Sequence, residues 1–199
     1  MHESIVEQEY ENTINDVLNI FNKSNSIINI KEEMGKLDNS KYNSIALKVL
    51  YRLIDIYTNN NLNGFKKLIK DIRNSDYYDD IMTYYSIIKM QKQILDTVED
   101  DVAFKEAYSF YEEYIFNNLG VNDDSYKFLV NIKKDINENK YQNIRNNTQR
   151  VFDSICNNLV KDIDSNYKDS FKKLVIELAD SSELDVLWDA IDILYDKLI

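Results

Sequence analysis

Proline is absent from this 199-residue chain, glycine occurs three times, and cysteine, histidine and tryptophan occur once each. Each shortage excludes something. Sheet proteins reverse direction every few residues and draw on Gly and Pro to do so. With only Gly35, Gly64 and Gly120 available, the chain reads as helices joined by polar connections. The single thiol, Cys156, has no partner for an internal disulfide. It falls on the apolar side of Val151-Phe152-Asp153-Ser154-Ile155-Cys156, where a buried, inert thiol is expected.

The catalytic shortages are sharper. The lone histidine is His2, and histidine is the usual general base at neutral pH. Ser–His–Asp and Cys–His arrangements therefore lack their base. A zinc site of Cys and His needs four ligands, and one of each is present. The Glu-x-x-His pairs of di-iron bundles are missing, as are the Gly-x-x-x-x-Gly-Lys and Gly-x-Gly-x-x-Gly phosphate loops. Adjacent acids such as Glu112 and Glu113 face different sides of a helix, and Asp123 and Asp124 read as caps. No catalytic residue, metal ligand or cofactor is assigned, and the chain is not read as an enzyme.

Long apolar runs are missing too. None approaches the roughly 20 residues of a membrane span. Met1 is followed by polar Glu3, Glu7, Gln8 and Glu9, unlike a secretory leader. The expected location is the cytoplasm, or the host cytosol if the source is viral.

What the chain has is acid. Asp and Glu number 35 against 24 Lys and Arg, a net charge of −11. Such a field repels phosphate backbones and attracts basic proteins, so no direct nucleic-acid partner is expected. Asn and Ile occur 25 times each, Lys 20 times and Tyr 15 times, the coding bias of an AT-rich genome.

Apolar residues recur at helical spacing throughout, for example Val6, Tyr10, Ile14, Val17, Leu18 and Phe21, then Ile45, Val49, Leu53 and Ile56. Breaks fall at Asn25-Ser26, at Asn59-Asn60-Asn61 with Gly64, at Glu99-Asp100-Asp101 and at Ser181-Ser182. A further helix is expected over 123–136, capped by Asp123, Asp124 or Ser125. The fold class is all-α: one compact bundle of eight or nine amphipathic helices in a single domain, 1–199, with residues 1–35 as an N-terminal helical arm. A superhelix of helix pairs is the alternative arrangement.

Two stretches stand out. The helix over 76–95 and the one after it are apolar over much of their circumference, carrying Tyr77, Tyr78, Ile81, Tyr84, Tyr85 and then Phe104, Tyr108, Phe110, Tyr111. Such helices are either central or expose a docking face, and Tyr78 and Tyr85 are the candidate docking residues. On the last helix, Leu184, Leu187, Trp188, Ile191, Leu194, Tyr195 and Leu198 make one apolar face. Beside it, Asp185, Asp189, Asp192 and Asp196 recur at i, i+4, i+7 and i+11 in one line of negative charge. That line is locally unfavourable, because like charges repel, Asp is a weak helix former and the C-terminal dipole disfavours anions. Either Lys168, Lys172 and Lys173 of the preceding helix answer it, or it docks a basic partner. Asp76, Asp79, Asp80 and the Glu99, Asp100, Asp101 cluster would extend that surface.

The expected function is an acidic, non-catalytic protein-binding module that blocks a basic target, as inhibitors, immunity proteins and viral or phage anti-defence proteins do. The alternatives are a self-associating homodimer and a carboxylate-only metal-dependent enzyme.

Overall fold

The computed structural model describes residues 2–37, 42, 44–97, 99–119, 134, 138 and 141–199. Those residues form nine α-helices and no strand: α1 (His2–Lys23), α2 (Ile27–Gly35), α3 (Ser44–Ile56), α4 (Leu62–Arg73), α5 (Tyr78–Asp96), α6 (Asp101–Leu119), α7 (Tyr141–Leu159), α8 (Ser165–Asp180) and α9 (Leu184–Leu198). Apart from residue 134, the helix expected over 123–136 lies outside the described residues, as do the side chains of Val6, Asp101 and Ile144. No described helix is long and apolar enough to cross a membrane.

The chain divides into two compact units, residues 1–78 with 159–199, and residues 79–158. In the first unit α9 packs on α1, α3, α4 and α8, while α3 packs on α1, α2, α8 and α9. The α1–α9 contact joins distant parts of the sequence, which stacked nearest-neighbour pairs do not do. This unit is a bundle, and α1 and α2 pack into it. Its core follows the helical periods: Ile14, Val17, Leu18 and Phe21 from α1, Val49, Leu50, Leu53 and Ile54 from α3, Phe65, Leu68, Ile69 and Ile72 from α4. From α9 come Leu184, Leu187, Trp188, Ala190, Ile191 and Leu194.

Local chemistry sets the helix ends. Ser26, Asn61 and Asp164 each hold an extended or non-helical backbone and accept a first-turn N–H, from Asn29, Asn63 and Asn166 respectively. Gly64 is therefore the third residue of α4 and not part of the preceding turn. Ser181 and Ser182, where the sequence breaks and whose residue type suits a cap of the last helix, instead end α8. Glu183 N–H donates to Leu178 O at 2.8 Å and Ser182 N–H to Ala179 O at 3.2 Å, with Ser182 at φ 61°. This is a Schellman closure, and it places a non-glycine residue in the left-handed region.

The second unit has a different character. Its cluster of Ile87, Ile94 and Tyr111 is rimmed by half-buried Tyr84, Met90, Phe104, Ala107, Tyr108 and Tyr114. Gln91, buried on α5, donates to the Tyr111 hydroxyl at 3.2 Å. Burial of that phenol, more than anything else, pushes its pKa up. The period of the sequence marks α5 and α6 as helices, but only the fold reveals a polar side chain at the centre of their contact.

Candidate protein-binding site

The four aspartates of α9 face one side, as their spacing requires, yet their surroundings differ. Asp192 is answered within the protein. Its Oδ1 accepts Arg73 Nε at 2.7 Å and the Tyr78 hydroxyl at 2.8 Å. The Arg73 guanidinium lies 4.7 Å from the centre of the Tyr78 ring and 5.9 Å from that of Tyr195. Tyr78 stacks on Trp188 at 5.0 Å, and the pair exchange hydrogen bonds with each other's backbone: Trp188 Nε1 to Tyr78 O, and Tyr78 Oη to Trp188 O, each 3.2 Å. This clasp joins α4, the start of α5 and α9. Burial, ahead of the Asp192 hydrogen bond, drives the Tyr78 phenol well above its usual pKa.

The counter-ion is thus Arg73 of α4 and not the lysines of α8 that the sequence offered. Lys173 instead lies 3.9 Å from Glu177, which also pairs with Arg52. The Arg52 hydrogen bond is the first cause holding the Glu177 carboxyl below its ordinary range.

Asp185 and Asp189 sit differently. Asp185 is half-buried, and its Oδ1 is shut off from solvent without a hydrogen-bond partner among the described residues. Asp189 is exposed by surface area. Even so, partial desolvation, followed by the charges of Asp185 and Asp192, holds its carboxyl above the ordinary range. Tyr10 of α1 lies beside this pair and donates to Val186 O at 2.7 Å. Desolvation first, then Asp189 and Asp185, push the Tyr10 phenol far up. Asp196, at the far end, is exposed.

A carboxylate whose folded pKa lies above its unfolded value destabilises the fold at neutral pH. That cost is fully present above the folded pKa and is gone once pH falls below the unfolded value near ~4. Asp189→Asn removes two like-charge helical pairs, each worth a few tenths of a kcal/mol. Asn and Asp have similar helix propensity, so little else changes. The variant should melt about 1–3 °C above the parent at pH 7. The gain should shrink toward zero near pH 4 in a thermal melt. A gain that is the same at both pH values would show that the charge is not its source.

The other expected site residues are placed as follows. Tyr78 and Tyr85 are 3% and 1% exposed, so neither belongs to an accessible docking face. Lys89 Nζ lies 5.2 Å from the centre of the Tyr85 ring. Asp76 is exposed in the first unit, and Asp79 and Asp80 are exposed in the first turn of α5, where anions suit the helix dipole. Glu99 and Asp100 are exposed in the second unit. Asp100 Oδ1 accepts Val102 N–H and Ala103 N–H at 3.1 Å each, which makes it the cap of α6. Among the described residues no three His, Cys, Asp or Glu side chains converge as a metal site would require.

Sequence spacing missed Arg73, Tyr10 and the Asp185 oxygen. No sequence signal distinguishes Arg73 from the other cations, because its role depends on which helix α4 meets. Compared with family models, with curated proteins and with solved structures, the chain matches none.

Proposed function

We propose that the protein is a non-catalytic binding module that holds a basic protein target against the α9 surface formed by Asp185, Asp189 and Asp196 with Tyr10 beside them. One observation carries this reading: the Asp185 oxygen that is buried without a hydrogen-bond partner among the described residues, next to Asp189, whose carboxyl pKa is raised. A buried, unpaired carboxylate oxygen is costly, and ordinary solvated surface does not contain one. A guanidinium or ammonium from a partner would pair with exposed Asp189 and answer the charge of half-buried Asp185 beside it, whereas Asp192 is already satisfied by Arg73. The chain's charge of −11 would speed the encounter and make it salt-sensitive. Blocking a basic target is the inhibitory role such a surface serves.

The test is affinity capture from the source cell or its target cell at low and high salt, with the parent and with Asp185→Asn/Asp189→Asn side by side. The reading expects a partner retained at low salt, released at high salt, and lost or strongly reduced with the double variant. Equal capture by both proteins would remove α9 from the interface.

A second reading, self-association, is favoured by Val102 and Phe110 of α6, which are 68% and 62% exposed. Sedimentation decides it, because a monomer at micromolar concentration rules it out.

A further inference from the structure

Apart from the acidic face, the first unit carries a groove of opposite character. It measures about 400 Å³ and is lined by Met34, Gly35 and Leu37 at the end of α2 and by Leu47, Lys48, Tyr51 and Arg52 of α3. Met34 and Leu47 are buried and form an apolar floor. Tyr51 is 42% exposed, and Ile45, one turn before Lys48 on α3, is 40% exposed. These are two of the few large apolar side chains left to solvent in the described residues. The volume is at the small end of sites that accept a ligand, roughly 300–1,000 Å³.

The charge at the groove runs against that of the chain. Lys48 and Arg52 both line it. Arg52 pairs with Glu177, and Glu177 is shared with Lys173. One carboxylate thus serves two cations, and Lys48 has no carboxylate partner among the described residues. In a chain with 35 acids and 24 bases this is a local inversion. An apolar floor with a cationic edge is complementary to a segment that presents large apolar side chains flanked by carboxylates.

We infer that the α2–α3 groove is a second docking site, which takes an acidic amphipathic segment of another protein. It inserts apolar side chains between Met34, Leu47 and Tyr51 and sets carboxylates against Lys48 and Arg52. This site is independent of the α9 face and opposite to it in charge preference. A chain with both faces brings a basic and an acidic protein together.

Gly35 supplies a clean test. A Cβ built there meets nothing within 4 Å, and Gly35 lines the groove, so a larger side chain at this position is expected to fill it at little cost to the fold. The probe is a fluorescently labelled amphipathic peptide built of Leu, Phe and Glu, with its Lys counterpart as control, followed by anisotropy against the full chain. The acidic peptide should bind at low salt. Gly35→Leu and Lys48→Glu should each weaken it at least tenfold while thermal melts stay at or above the parent value. Asp185→Asn/Asp189→Asn should leave this binding unchanged, which separates the result from the fate of the α9 reading. Absence of binding at low salt, equal binding of the Lys peptide to the Asp185→Asn/Asp189→Asn variant, or indifference to both groove variants would overturn the inference. Sedimentation that shows copies of the chain associating, and Gly35→Leu abolishing it, would replace the proposed occupant with a second copy.

Discussion

Trp188→Ala should lower the melting temperature by roughly 6–20 °C. Truncating a buried Trp costs about 3–5 kcal/mol, and each kcal/mol shifts the midpoint of a chain this size by roughly 2–4 °C. Trp188 is 4% exposed on the helix that packs on four others in its unit. Its ring carries the stack with Tyr78, and its Nε1 satisfies Tyr78 O. Removing it leaves a cavity, an unpaired buried carbonyl and an Arg73 side chain resting on a displaced Tyr78 ring. Trp188→Phe keeps an aromatic in place and loses the hydrogen bond, so it should cost less, about 1–3 kcal/mol. If the Ala and Phe variants melt together with the parent, the clasp is not a structural centre.

Gly64→Ala should destabilise the fold, although Ala is the better helix former by about 1 kcal/mol. Gly64 lies inside α4, where propensity alone predicts a gain. A Cβ there would clash with Tyr57 Oη and lie 2.8 Å from its Cζ. Tyr57 is buried, stacked on Tyr167 at 4.8 Å and set edge-on to Phe65 at 6.0 Å. Moving its ring aside would break those contacts. Overpacking of this kind costs about 1–3 kcal/mol, which exceeds the propensity gain. A double-mutant cycle isolates the cause. In a Tyr57→Ala background the same glycine substitution should become stabilising, as measured by chemical denaturation. If Gly64→Ala raises stability in the parent, Tyr57 does not occupy that position.

These two cases show what spacing can and cannot convey. Helical periodicity locates α1, α3, α4, α8 and α9 and the apolar face of α9, because a period depends only on neighbours along the chain. It also puts Asp185, Asp189, Asp192 and Asp196 on one line. It could not tell that Asp192 meets Arg73, that the Asp185 Oδ1 finds no hydrogen-bond partner among the described residues, or that Tyr78 is buried, since those depend on helices remote in sequence. Gly64 reads as a turn signal because glycine usually is one. Its actual reason is the close approach of Tyr57, which only packing creates. Ser181 and Ser182 carry the composition of an N-cap, and a backbone closure puts them to use at the other helix end. The broad apolar arc of α5 is legible, but which of its tyrosines lie inwards is set by what packs there.

The candidate site differs accordingly from the one that spacing defines. Four equivalent aspartates become an internal clasp at Asp192 and an unanswered pair at Asp185 and Asp189. Surfaces kept for binding commonly retain a stability cost that mutation can relieve. The central claim is that this pair is such a surface. It is tested most directly by measuring stability and affinity on the same double variant. The captured partner is purified and titrated calorimetrically against the parent and Asp185→Asn/Asp189→Asn, and both proteins are melted at pH 7. The account predicts a higher melting temperature for the variant together with at least a tenfold loss of affinity. A variant that melts higher and binds the partner as tightly as the parent would contradict it.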